Sequence, residues 1–186
     1  MISLALLIGG HGRRLGGIDK AGLVLPSGLT TSETLLATFR PLVDDAFAVG
    51  RADQADHPLS RTLRIVTDSR PDEGPLRGIA TALAVTRAPW VFVVACDLAG
   101  VATEDFTRLA TERRRGRLAV AWVSPRGVEP LCAIYHRALG RIAEALLARG
   151  ERRARALLCE GDLVSRVAGI GNINLPGDFR ARPTKP

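Results

Sequence analysis

The chain has 186 residues, enough for one domain with a real core, and its 46% apolar and 24% charged residues are ordinary for a globular protein. No apolar run approaches the roughly 18 residues of a membrane span, and Gly9-Gly10 interrupts the opening apolar stretch where a signal peptide would continue, so the start reads as mature strand. The net charge of +7 invites a nucleic-acid partner, yet the arginines are scattered from Arg13 to Arg182 with few aromatics for bases to stack on, which argues against one. Cys96, Cys132 and Cys159 are odd in number, far apart and free of C-x-x-C spacing, which predicts buried reduced thiols and a cytoplasmic protein.

In chain order, Leu4 to Ile8 is an apolar run without alternation, the mark of a strand covered on both faces. Gly9, Gly10, Gly12, Gly16 and Gly17 follow, and glycine lets a backbone turn tightly and approach a ligand. Successive N–H groups in such a loop can cradle an anion, and Arg13, Arg14 and Lys20 add positive charge. The spacing fits neither G-x-G-x-x-G, because position 15 is Leu15, nor a Walker loop, because Asp19 precedes Lys20. Lys20 and Lys185 are the lysines of an otherwise arginine-only set of cations, so a compact point charge is wanted at position 20. His11 reads as a solvated loop histidine.

Ala21 to Pro26 reads as a short extended piece ending in a turn at Pro26-Ser27-Gly28. Thr30 and Glu33 form a capping box ahead of a helix bearing Leu35, Leu36, Phe39, Leu42 and Val43. Strands follow at Ala46 to Val49 and Arg64 to Thr67, with a polar loop from Arg51 to Arg61 between them. The turn-rich run from Asp68 to Gly78 opens a helix carrying Leu76, Ile79 and Leu83, and Trp90 to Ala95 is the clearest strand of the chain. Thr103 is expected to cap a helix bearing Phe106 and Leu109. Arg113, Arg114 and Arg115 close that helix opposite Glu104 and Asp105 in its first turn, an arrangement that suits the macrodipole.

The second half reads as strand Leu118 to Val123, a turn at Ser124 to Gly127, and strand Leu131 to Tyr135, with Glu129 before Pro130 taken as a turn residue. A helix with Leu139, Ile142, Leu146 and Leu147 ends at Gly150, a short helical piece spans Arg152 to Cys159, and residues 180–186 read as a loose tail. Strands alternating with helices over the first 110 or so residues imply a mostly parallel sheet in an α/β three-layer sandwich. Ligands in such sheets lie beyond the carboxyl ends of the strands, so the glycine loop, Asp68 and Asp97 share one rim. A carboxylate such as Asp97 beside phosphates calls for a divalent cation between them, and Mg²⁺ is typically held in this way. Asp68 fits equally a ribose or base contact and an Asx turn toward Arg70. Arg149, Arg152, Arg153 and Arg155 form either a solvated face or a grip for an anionic second substrate.

Leu7-Ile8-Gly9-Gly10-x-x-x-Arg14-Leu15-Gly16-x-x-Lys20 resembles the nucleotidyltransferase signature L-A-G-G-x-S-x-R-M-G-x-D-K. Asp68-x5-Gly74-Pro75-Leu76-x-Gly78 resembles that superfamily's D…GPLAG segment, and Ala95-Cys96-Asp97 its metal-binding turn. Glu129-Pro130-Leu131, Gly150-Glu151-Arg152-Arg153 and Asn172-Ile173-Asn174-x-Pro176 look like the molybdenum cofactor guanylyltransferase branch, the MobA family. The match runs in order over essentially the whole chain. It implies a Rossmann-like fold of the nucleotide-diphospho-sugar transferase type and transfer of GMP from GTP to molybdopterin. Leu7, Ile8, Gly9, Gly10, Asp68 and Gly78 would contact the nucleotide, Arg14 and Lys20 the phosphates, and Asp97 Mg²⁺. Arg153, Asn172 and Asn174 would bind the acceptor, and proteins of molybdoenzyme maturation are candidate partners. The implied organisation is one domain over residues 1–180, with nucleotide binding in 1–110 and acceptor binding in 111–180.

Several positions depart from the family pattern. Ile8 replaces Ala, Gly12 a small hydroxyl, and Arg77 an Ala near where the base should lie. Gly50 ends the second strand where a polar residue is usual, and Leu98-Ala99-Gly100 lacks a proline. Base selectivity is what these departures touch. Alternatives are cytidylyl transfer, nucleotidyl transfer to a sugar phosphate, and a catalytically silent nucleotide-binding accessory.

Overall fold

The structure is a computed structural model that describes residues 1–9, 20–68, 70, 73–98, 100–113, 116–124, 127–159 and 164–168. Its described strands are β1 (Ile2–Leu7), β2 (Asp45–Gly50), β3 (Arg64–Thr67), β4 (Trp90–Ala95), β5 (Ala119–Ser124), β6 (Gly127–His136) and β7 (Val164–Ala168). The helices are α1 (Thr31–Phe39), α2 (Gly74–Val85), α3 (Thr103–Thr111) and α4 (Gly140–Ala148). The strands form one sheet in the order β3-β2-β1-β4-β6-β5-β7. Parallel pairing joins β3, β2, β1 and β4 and also β5 with β7, while β6 runs against both its neighbours. This is the mostly parallel α/β sandwich that the alternation implies.

Successive residues of a strand face opposite layers, and both layers are apolar. Leu4, Leu6, Phe92, Val94, Val120 and Trp122 pack on one side with Leu35 and Phe39 of α1 and Phe106 and Leu109 of α3. Ala5, Phe47, Val91, Val93 and Tyr135 pack on the other with Leu76, Ile79 and Leu83 of α2 and Ala143 and Leu147 of α4. Phe39 meets Phe92 edge-on at 5.1 Å and Phe92 lies 5.2 Å from Phe106, so one aromatic group ties α1 and α3 to the sheet. No helix among the described residues is long and apolar enough to cross a membrane.

Local signals set the helix ends. Thr30 and Glu33 form the expected capping box: the Thr30 N–H donates to Glu33 Oε2 at 2.8 Å and the Glu33 N–H to Thr30 Oγ1 at 3.2 Å. Helix α1 stops at Phe39, before Leu42 and Val43, because Pro41 turns the chain into a 3-10 turn over Arg40–Leu42. Gly150, at φ +83°, closes α4 in a Schellman arrangement: its N–H donates to Leu147 O at 3.0 Å and the Glu151 N–H to Leu146 O at 3.0 Å.

Four readings are corrected. Thr103 is the first residue of α3 rather than its cap, because the Asp105 carboxylate reaches back to the Ala102 N–H at 2.9 Å and closes the turn itself. Glu129 and Pro130 lie inside β6, where the pairing with β5 slips between Ala121 and Trp122, and that bulge accommodates a proline without an N–H. The Tyr135 hydroxyl, fully buried, donates to Pro130 O at 2.7 Å and fixes the bulge. Cys96 and Cys132 are buried free thiols as expected, but Cys159 is exposed, just beyond the 3-10 turn Ala154–Leu158. The fourth, Arg77, belongs to the site.

Candidate functional site

Strands β1, β2, β3 and β4 are parallel, so their carboxyl ends form one rim. From β1 the chain goes to β2 and then β3 on one side, and returns to β4 on the other. The crevice between β1 and β4 is therefore the topological switch point, where open α/β sheets receive ligands. Leu7, Ile8 and Gly9 stand on one lip and Cys96 and Asp97 on the other, joined by a bond from the Cys96 N–H to Leu7 O at 3.2 Å. Asp97 is half-buried in the turn after β4, with the Leu98 N–H donating to Ala95 O at 3.0 Å. Among the described residues no group of three or more His, Cys, Asp or Glu gathers as a metal cage. A single rim carboxylate holds a divalent cation only jointly with ligand oxygens, which is how Mg²⁺ is usually shared with a phosphate chain.

Gly78 lies buried in α2 facing the end of β1, where a Cβ would make ordinary contact with Leu7 Cδ2 at 3.5 Å. Asp68 follows β3, its N–H donating to Gly50 O at 2.9 Å. Its carboxylate accepts from the Thr81 hydroxyl in α2, a partner the sequence reading did not identify. Burial pushes the Asp68 carboxyl above its ordinary value, against the Thr81 bond and the nearby Arg77 charge, which favour the anion, while Glu73 adds to the rise.

Ile8 is 1% exposed and faces the core beside α1, not the rim. A Cβ on Gly50 would lie 2.9 Å from Ile8 Cγ1 and 3.1 Å from Ile8 Cδ1, closer than side chains come. The two departures from the family pattern are thus one steric pair: the larger residue at 8 takes the room a side chain at 50 would need. Arg77 is likewise structural. Its guanidinium is buried between Glu73 and Glu144, with Nε donating to Glu73 Oε2 at 2.7 Å and Nη1 to Glu144 Oε1 at 2.6 Å. It ties α2 to α4 through these carboxylates, its buried Nη2 lying 2.6 Å from Glu73 Oε2 without a hydrogen bond, and this pairing corrects the expectation that it bears on the base.

The polar stretch after β2 holds residues that sequence reasoning missed. Gln54, 5% exposed, donates from Nε2 to Ile8 O at 3.0 Å and accepts at Oε1 from the Arg51 N–H at 3.1 Å. Arg51 donates from Nη1 to Gly9 O at 3.2 Å and is held by Asp53 at 2.9 Å. On the far side of the glycine-rich stretch, Lys20 opens a 3-10 turn over Lys20–Gly22. Ala21 O accepts from Ser32 Oγ at 2.7 Å and Thr31 Oγ1 at 3.3 Å, which pins that turn to the start of α1. Gly10, His11, Arg14, Asn172, Asn174 and the tail 181–186 lie outside the described residues.

The arginine run after α4 is largely engaged within the chain. Arg153 is 83% exposed and paired with Glu151 at 2.6 Å, and hydrogen bonds from its side chain and N–H, with one from the Arg152 N–H, pull the Glu151 carboxyl down to about 2. Arg152 donates to Leu147 O at 2.9 Å and Arg155 to Val128 O at 3.2 Å. Arg152 O accepts from the Leu76 N–H at 3.2 Å, and Gly74, at φ +72°, leaves room for that carbonyl, which a Cβ would meet at 2.8 Å. The Gly74–Gly78 turn therefore rests on the segment that carries Arg153.

The pattern of the MobA-like NTP transferase domain matches residues 4–164. A protein of Pseudomonas aeruginosa (strain LESB58) named molybdenum cofactor guanylyltransferase is 33% identical over 183 residues, covering 94% of this chain and 90% of its own. The crystal structure of molybdopterin-guanine dinucleotide biosynthesis protein A from Archaeoglobus fulgidus superposes with a TM-score of 0.78 at 25% identity, covering 95% of this chain and 94% of that one. A cytidylyltransferase acting on 2-C-methyl-D-erythritol 4-phosphate, from Thermus thermophilus, shares the fold alone: TM-score 0.70, 19% identity, 94% of each chain covered.

Proposed function

We propose that this chain, which belongs to the MobA-like NTP transferase family and is a nucleotidyltransferase, transfers GMP from GTP to molybdopterin. In this reaction an oxygen of the acceptor's terminal phosphate forms a bond to the α-phosphorus of GTP. The bond from that phosphorus to the bridging oxygen breaks, and pyrophosphate leaves with the electron pair. The observation that carries the reading is the 33% identity, over 94% of the chain, to a protein named for this activity. The rim supports it: Gly9 and Asp97 flank the crevice between β1 and β4, with Asp68 beyond the next strands.

In this reading Leu7 and Gly9 offer backbone to the nucleotide, Ile8 supports them from the β2 side with both its backbone groups bonded within the chain, Gly78 faces Leu7 from α2, and Asp68 accepts hydrogen bonds from the nucleoside. Arg14 and Lys20 neutralise charge that builds on the leaving pyrophosphate, the main lever in such transfers. Asp97 would hold Mg²⁺, which supplies further neutralisation of the phosphate oxygens when bound. Arg153, Asn172 and Asn174 would meet the acceptor, giving residues 1–110 the nucleotide and 111–180 the second substrate. The free thiols of Cys96, Cys132 and Cys159 support a cytoplasmic site of action, where proteins of molybdoenzyme maturation would be partners.

One observation favours a second reading. Gly50 presents no polar side chain at the end of β2, so cytidylyl transfer to the same acceptor competes. Calorimetric titration with GTP, CTP and ATP in the presence of Mg²⁺ separates the two: tightest binding of GTP supports guanylyl transfer, and a preference for CTP replaces it.

A further inference from the structure

We infer that Gln54, assisted by Arg51, is a positioning residue of the nucleotide site, aiming the Gly9 N–H into the crevice between β1 and β4; the inference rests on the nucleotidyltransferase reading above. In β1 the Ile8 N–H donates to Val49 O of β2 at 2.9 Å, whereas Leu7 O accepts from Cys96 on the β4 side. The Ile8 carbonyl points back toward β2, where Gln54 Nε2 meets it at 3.0 Å. A trans peptide is planar, with its C=O and N–H opposed, and no peptide among the described residues is cis. Fixing the Ile8 carbonyl on the β2 side therefore turns the Gly9 N–H to the β4 side, toward Asp97.

β2 has ended by this point, so the sheet ladder no longer dictates the direction of that peptide. Gln54 replaces the ladder with a side chain. Its amide is buried and satisfied at both ends, by Ile8 O and the Arg51 N–H, so it cannot swing without leaving a buried polar group unpaired. Arg51 repeats the device one residue further on, donating to Gly9 O at 3.2 Å while Asp53 holds the guanidinium. Two consecutive carbonyls at the entrance to the glycine-rich stretch are thus taken up by one short turn. An N–H aimed before the ligand arrives costs no reorganisation on binding. Gly50 is part of the arrangement, because a Cβ there would stand 3.1 Å from Gln54 Oε1.

The test compares Gln54→Met, which keeps bulk and removes both bonds, with Gln54→Glu, which keeps the acceptor for Arg51 and sets an oxygen against Ile8 O. Arg51→Met removes the Gly9 bond and provides a variant in which Gln54 is intact. Leu139→Ala is the control for lost stability: Leu139 is buried beside the start of β4, at the opposite end of the sheet from the rim. Affinities for GTP, CTP and ATP and for molybdopterin are measured well below each variant's melting temperature. Both Gln54 variants should weaken binding of the preferred nucleotide about tenfold, leave molybdopterin affinity unchanged, and differ in this from Leu139→Ala. Arg51→Met should move nucleotide affinity in the same direction. Nucleotide affinity equal to wild type in Gln54→Glu and Arg51→Met would overturn the inference and leave the enzyme's function standing. A wild-type protein that binds none of the three nucleotides would overturn the functional reading itself.

Discussion

The pairing of Ile8 with Gly50 makes a quantitative prediction. Ile8 is 1% exposed, so Ile8→Ala removes three buried carbons and should cost about 3 kcal/mol, the middle of the range for such truncations. Gly50→Ala places a methyl 2.9 Å from Ile8 Cγ1 and 3.1 Å from Gln54 Oε1, an overpacking that should cost roughly 1–3 kcal/mol. Gly50 is not among the glycines with positive φ, so the cost is one of space and not of backbone strain. With Ala at position 8 most of that space opens, and the added methyl should be near neutral or stabilise by about 0.4–1 kcal/mol through lost freedom of the unfolded chain. The double variant should therefore be less destabilised than the sum of the singles by roughly 2 kcal/mol. Urea titration of the four proteins at one temperature measures this, and a calorimetric melt checks it at about 2–4 °C per kcal/mol for a chain of this size. Additivity to within about 0.5 kcal/mol would refute the steric account of both departures.

Arg77→Met should lower the melting temperature by a few degrees at most, because the Glu144 carboxylate it leaves behind is half-exposed and can be solvated, yet leave GTP affinity within about twofold; a large loss of affinity in calorimetry would return Arg77 to the base site. Asp97→Asn should keep the fold by circular dichroism and lose turnover by on the order of 10² or more, and unchanged activity would mean the metal is held elsewhere. Thr81→Val removes the hydrogen bond that opposes the burial-driven rise of Asp68. A carboxyl raised in the folded state binds more protons there than when unfolded, so its contribution to stability falls as pH rises from its unfolded value through its folded one. Thr81→Val should extend that fall to higher pH and shift the acid limb of GTP binding upward, whereas Thr81→Ser should leave both in place. Affinity measured across about pH 4 to 8 decides it.

Strands and helices with a continuous local pattern are legible in the sequence alone. The apolar run ending at Leu7, the Trp90–Ala95 strand and the Thr30–Glu33 box each carry their instruction within a few residues. The features that escape such a reading depend on partners distant in sequence. Gln54 sits in a polar segment without periodicity, and its role exists only because β2 lies beside β1. β7 has five residues and is defined by its pairing with β5, not by a pattern of its own. Pro130 argues against a strand until the bulge opposite Ala121 and Trp122 gives it a place. The resemblance located the rim residues Leu7, Asp68 and Asp97, but it could not show that Ile8 and Gly50 compensate each other or that Arg77 is spent on an ion pair between helices.

Guanylyl transfer to molybdopterin is read out by the release of pyrophosphate. Purified protein with Mg²⁺ and molybdopterin should release pyrophosphate when given GTP, with molybdopterin guanine dinucleotide identified by mass as the matching product. Release with CTP in preference to GTP, or none with any nucleotide while GTP still binds, would contradict guanylyl transfer.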